Sequence, residues 1–186
     1  MNDPPSTPNL ALAASIFYTL MLFIGLGVMD AQDLDIIAAI FGDGANLVRD
    51  TALGAGTGLV VVGITWLCRN LKAVQDLNRE FREAVGTPST ALIAVLALTS
   101  AVGEEVLFRG GLQPLLGFWW TALIFGLMHG GAARKYRAWA LFATAAGLLL
   151  GWLTLFTENL LAPILCHLTV NYFNLHLVAR SESPPS

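Results

Sequence analysis

The sequence predicts an all-α polytopic membrane helix bundle with about six transmembrane helices and an amphipathic surface connector. Three observations lead there. Of the 186 residues, 55% are hydrophobic and only 12% are charged, about half the roughly 25% charged share of soluble domains. The mean hydropathy is +0.65. Uncharged stretches of about 20 residues, the length that crosses a ~30 Å hydrocarbon layer at 1.5 Å per residue, recur along the chain.

Taken in order, residues 1–9 contain Pro4, Pro5 and Pro8 but no Lys or Arg. They lack the basic region that opens a secretory signal peptide and are expected to form a disordered tail. Segment 10–29 is too long for a signal core and is expected as the first span. Segment 35–48 is shorter and broken at Gly42-Asp43-Gly44, which suits a re-entrant or interfacial element. Segment 51–68 is uncharged and is the second span. Segment 69–83 alternates charged and apolar residues, with Leu71, Val74, Leu77 and Phe81 on one side, as expected of a helix lying on the membrane surface. Segments 84–103, 117–133, 138–157 and 159–179 complete the bundle, and 181–186 is expected to be a second disordered tail. One transmembrane domain thus covers 10–180. Cys68 and Cys166 lie far apart in apolar segments and read as small buried hydrophobes rather than as a disulfide or a metal pair. The net charge of −3 is small and scattered, and excludes a nucleic-acid partner.

Cytoplasmic loops are enriched in Lys and Arg. With the N-terminus inside, Arg69, Lys72, Arg79, Arg82, Arg134, Lys135, Arg137 and Arg180 all fall on the cytoplasmic side. Arg49 alone falls outside, in a loop that carries Asp30, Asp33, Asp35, Asp43 and Asp50. Both termini are therefore expected to be cytoplasmic, in a multi-pass protein of the cell membrane. This topology contains a mismatch: a straight third helix carries Glu104 towards the outer face, whereas His129 on the descending fourth helix lies nearer the inner one. A deep start, a strong tilt or a broken helix would remove it.

The chemistry is concentrated in a few polar residues. Glu104, Glu105 and Arg109 follow directly on an uncharged stretch, and a charged group at the centre of a spanning helix costs about 2.5–3.5 kcal/mol on insertion scales, so such groups mark function. In a helix Glu105 and Arg109 stand at i, i+4 with the acid first, which favours an ion pair, while Glu104 is turned about 100° away. Glu105 is then a neutralised support and Glu104 a carboxylate left as base or ligand. Phe125 and His129 also stand at i, i+4, placing the phenyl ring as a wall beside the imidazole. His167, Asn171 and Asn174 share one stripe of the last apolar segment, a stripe too polar to face lipid. His176 points to the opposite side and reads as interfacial. Ser100, one turn before Glu104, reads as a small packing residue.

Together these side chains suit hydrolysis. Glu104 with His129 can hold and deprotonate a water, while His167 and Asn171 can donate to a developing oxyanion. Glu104, His129 and His167 are equally a three-ligand set for a divalent metal, zinc by first choice, with the fourth position open. No His-Glu-x-x-His signature is present to decide between them.

Glu104-Glu105-x-x-x-Arg109-Gly110, Phe125-x-x-x-His129 and His167-x-x-x-Asn171, in that order on successive apolar segments, resemble the CPBP family of intramembrane proteases. These are the CAAX proteases and bacteriocin-processing enzymes related to the Ras-converting endopeptidase. The resemblance covers about 91–175, on three motifs that are individually short. It implies an intramembrane endopeptidase in which Glu104 and His129 activate water, His167 and Asn171 stabilise the oxyanion, and Glu105 and Arg109 support the site. It also implies membrane lipids and a membrane-associated peptide or protein substrate as partners, and a cavity open to the cytoplasm or bilayer. Two other classes use the same residues. In a non-catalytic scaffold or bacteriocin-immunity-type protein they would only hold helices together, and in a proton-coupled transporter they would form a relay, although no inverted repeat accompanies them.

Overall fold

The structure is a computed structural model describing residues 7–85, 88–130 and 137–180, with no β-strand among them. The expected tails therefore lie outside the described residues, except that 7–9 form the first turn of α1 (Thr7–Asp30). There follow α2 (Ile36–Phe41), α3 (Leu47–Leu67), a 3-10 turn (Cys68–Asn70), α4 (Lys72–Val85) and α5 (Thr90–Glu105). The chain continues through a π-helical segment (Val106–Leu112) into α6 (Gln113–Leu116), then α7 (Phe118–Gly130), α8 (Arg137–Thr157) and α9 (Leu161–Arg180). Five helices are long and apolar enough to cross a membrane: Leu12–Asp30, Leu47–Asn70, Thr90–Leu116, Arg137–Thr157 and Leu161–Arg180. This is an all-α membrane protein. The remaining segment of the six expected, 117–133, is represented by α7, whose 13 residues span only about 20 Å. Residues 131–136, with Arg134 and Lys135, lie outside the description.

The largest departure concerns the third span. It was expected to end at Gly103, but it starts at Thr90, with Ser89 Oγ accepting from Leu92 N at 3.3 Å as its cap, and runs 27 residues to Leu116. The π turn lets the chain pass the Glu pair without leaving the helix. Its widened geometry is evident where Gln113 N reaches back five residues to the Phe108 carbonyl, and such turns often mark functional sites. This span is also the central one: 56% of its most apolar window is buried, against 11–33% in the others.

Close contacts fix the direction of each neighbour. Tyr18 backbone lies against Gly103, and Gly25 against Leu107 and Gly111, so α1 runs parallel to α5. Side chains at Gly103 or Gly25 would collide with backbone, the latter at 2.7 Å from Leu107 Cα, and small residues permit such approach in membranes. Ser100 bonds Asn171 and Glu105 bonds His167, so α9 runs antiparallel to α5. Gly54 meets Ala162 and Gly58 meets Thr169, making α3 parallel to α9 on the outside. Gly126 packs on Thr144 and Gly147 on Ala122, which makes α7 and α8 an antiparallel hairpin. Successive long elements thus alternate in direction, and α1 begins on the face where α9 ends.

The expected non-spanning element is α2, six residues long. Asp35 caps it, accepting from Ile37 N and Ala38 N at 3.0 Å each, and Gly42 at φ 65° closes it. The expected surface connector is α4, with Arg79 paired to Asp76 at 2.7 Å. On the far side of the bundle, buried Asp50 accepts from Asn159 at 2.7 Å and from Arg49 at 2.8 Å, tying α3 to the α8–α9 turn. Cys68 and Cys166 are both free.

Candidate active site

Glu104 lies near the middle of the central span, and its depth follows from the length of that helix. The chain climbs from Glu104 to Leu116, reverses at Gly117 (φ 81°), and descends α7 by a nearly equal number of residues to His129. The two side chains therefore meet at one level along the bundle, which removes the mismatch of depth. Glu104 Oε2 stands 3.5 Å from His129 Nε2 and 3.9 Å from His167 Nε2. This oxygen is buried and has no hydrogen-bond partner among the described residues.

Both imidazoles are held through their other nitrogen. His129 Nδ1 is 2.8 Å from the Phe125 carbonyl, one turn back, and His167 Nδ1 is 2.7 Å from Glu105 Oε1. Each of these partners can only accept, so each Nδ1 carries its proton and donates. When either ring is neutral, its Nε2 therefore presents a lone pair towards Glu104. Three acceptors then converge, an arrangement that invites a proton or a proton donor such as water.

Glu105 is turned to the other side, as the helical angle requires. Its Oε1 accepts from Arg109 Nη1 at 3.1 Å as well as from His167, and the Glu105 and Arg109 side chains are fully buried. Arg109 also donates through Nη2 to the Gly147 carbonyl at 3.1 Å, and its guanidinium lies 4.4 Å from the Phe125 ring centre. One turn on, Gln113 Nε2 donates to the Gly151 carbonyl at 3.2 Å. Glycines on α8 thus leave carbonyls open to side chains of the central helix. Phe125 completes the wall, 4.4 Å from the His129 ring and 5.0 Å edge-on from Phe108.

The stripe on α9 divides. His167 faces the Glu pair. Asn171 Nδ2 donates to Ser100 Oγ at 2.9 Å, and Ser100 in turn donates to the Ala97 carbonyl at 3.2 Å. Asn174 turns away and accepts from Thr65 of α3 at 2.9 Å, so its contact is between helices and not with the glutamates. The reading of Ser100 as mere packing missed this hydrogen bond. Its spacing from Glu104 was the available signal, but its partner lies on a helix 71 residues away. His176 stacks edge-on against Tyr172 at 4.7 Å, remote from the site.

The metal alternative can be tested on the donor set. Glu104, His129 and His167 have suitable atoms, and each imidazole is anchored through Nδ1 as metal-bound histidines are. Among the described residues, however, no group of three His, Cys, Asp or Glu side chains is arranged to hold a metal ion. As arranged here these residues do not fit a bound metal.

Residues 86–173 match the family model described as type II CAAX prenyl endopeptidase Rce1-like. The chain is also 40% identical over 81 residues to the uncharacterized protein YpbD of Bacillus subtilis (strain 168), covering 42% of this chain and 41% of that protein. It thus spans well under half of that relative's length. No solved structure matches it significantly. The match to the family model includes all three motifs and covers just under half of the chain, so residues 86–173 are similar to the type II CAAX prenyl endopeptidase Rce1-like family.

Proposed function

We propose that this protein is an intramembrane endopeptidase that hydrolyses a peptide bond in a membrane-associated peptide or protein. The observation that carries the reading is the Glu104 carboxylate. It is buried, its Oε2 has no hydrogen-bond partner among the described residues, and it faces the Nε2 atoms of two imidazoles from two other helices. A buried carboxylate in that state is costly if its only task is to hold helices together. The family match supports the same class of chemistry.

In this reading a water bridges Glu104 Oε2 and His129 Nε2. Glu104 takes its proton as the oxygen attacks the scissile carbonyl, and the proton then passes to the leaving amine. Phe125 and the Nδ1–H bond to its carbonyl keep the His129 ring in register. The negative charge that develops on the carbonyl oxygen is met by the second amide hydrogen of Asn171 and by His167. His167 can donate from Nε2 only as imidazolium, because its Nδ1–H is committed to Glu105, and Glu105 balances that charge. Glu105 and Arg109 act as positioning residues. The shared face of the α1 start and the α9 end, with the basic residues Arg69, Lys72, Arg79 and Arg82 in the α3–α5 connection, supports cytoplasmic termini.

The test uses purified protein in lipid nanodiscs with a library of membrane-tethered peptides. Wild type cleaves and Glu104→Gln, equally folded, does not. Retained cleavage in Glu104→Gln overturns the assignment, and a wild type that cleaves nothing favours the scaffold reading.

A further inference from the structure

A groove of about 370 Å³ lies between the C-terminal halves of α3 and α9, remote from the glutamates. That volume is in the range of small-molecule sites. Its walls are apolar, from Leu59 and Val62 on one helix and Phe173 and Leu177 on the other. Gly63 lines it, and a Cβ there would meet nothing within 4 Å, so the glycine leaves the groove open. From Leu59 to Trp66, and from Phe173 to Arg180, it runs about 10 Å along each helix and ends where both helices end, at a face of the bundle.

That mouth is cationic. Arg180 lines it, as does Trp66, and the Arg69 guanidinium is held over the Trp66 ring at 4.0 Å, with Nη1 donating to the Trp66 carbonyl at 2.9 Å. The remaining donors of Arg69 have no protein partner among the described residues. Two helix C-termini at this level set partial negative charge there, so the groove without its arginines would repel an anion. With them it pairs an apolar slot with a guanidinium mouth, complementary to an acyl chain ending in a phosphate.

We propose that this groove binds an anionic phospholipid, its acyl chain between α3 and α9 and its phosphate on Arg69 and Arg180. The site is separate from the proposed catalytic residues and stands whether or not the protein is a protease. The anionic lipid surface of the cytoplasmic leaflet is where the basic connection 69–82 is expected to lie.

The test is native mass spectrometry of the full chain, released from detergent with phosphatidylglycerol or phosphatidylcholine of identical chains, and separately with inorganic phosphate. Wild type retains phosphatidylglycerol over phosphatidylcholine by roughly 25-fold, about fivefold for each arginine near the phosphate. Arg69→Gln/Arg180→Gln loses that preference. Gly63→Leu, whose Cβ meets nothing within 4 Å and whose side chain extends into the groove, loses retention of both lipids and keeps the thermal stability of wild type. Equal retention of the two lipids by wild type, an unchanged preference in the double variant, or inorganic phosphate bound as tightly as the lipid overturns the proposal. So does a lipid-free protein whose groove is covered by a second copy.

Discussion

Removing Glu105 separates support from chemistry, and its cost can be worked from the contacts. Glu105→Ala leaves the Arg109 guanidinium without its carboxylate and the His167 Nδ1–H without an acceptor, both in a buried setting. Stripping one partner from a buried ion pair costs about 3–5 kcal/mol. Arg109 keeps the Gly147 carbonyl and the face of Phe125, and a desolvated cation–π contact returns at most about 2 kcal/mol. The net loss should be about 1–5 kcal/mol. Glu105→Leu/Arg109→Met removes both charges and should recover the part due to the unpaired charge, leaving about 1–3 kcal/mol for the orphaned His167 N–H. Glu104→Gln, by contrast, changes a carboxylate whose Oε2 has no hydrogen-bond partner among the described residues and should leave stability near that of wild type. The assay is reversible unfolding in mixed micelles, followed by the fluorescence of the five tryptophans. A Glu105→Ala loss below about 1 kcal/mol, or a double variant less stable than the single, would refute the reasoning that an unpaired buried charge dominates the cost.

Gly103→Ala and Gly54→Ala place a Cβ against the Tyr18 and Ala162 carbonyls, which are backbone and cannot yield. Each should cost about 1–3 kcal/mol, whereas Gly27→Ala and Gly56→Ala, which meet nothing within 4 Å, should be neutral or gain up to about 1 kcal/mol in the same unfolding assay. Asn171→Ala should lower kcat by about 10²–10³ as an oxyanion donor is lost; Ser100→Ala, which only orients Asn171, should cost much less, and the reverse order in cleavage assays would reject these roles. Cleavage should persist in a strong chelator, and loss that added zinc restores would establish the metal-dependent reading instead.

Local rules carried the reading some distance. The Glu105–Arg109 pair forms at 3.1 Å because i, i+4 spacing is set by a single helix, and the same rule turns Glu104 the other way. The stripe of His167, Asn171 and Asn174 illustrates the limit of such rules. A face of a helix is wide enough to touch two neighbours, so His167 and Asn171 meet α5 while Asn174 meets Thr65 of α3. The end of the third span was misplaced because charge was read as the edge of the membrane. Arg109 pairs with Glu105 and with the open carbonyl of Gly147 inside the bundle, so the helix carries its charges through the middle.

By itself the sequence determined the solvent, the helical class, the angular division of the Glu pair and the motifs on which the family resemblance rests. Each depends on residues within one helix, or on composition. The tertiary structure alone decided the depth of Glu104, the turning of both imidazole Nε2 atoms towards it and the use of Ser100 to hold Asn171. These depend on where the central span ends, on the π turn and reversal at Gly117, and on glycines that bring α1, α8 and α9 close to that span. The free energy of such contacts comes from partners far apart in the chain, which no local period encodes.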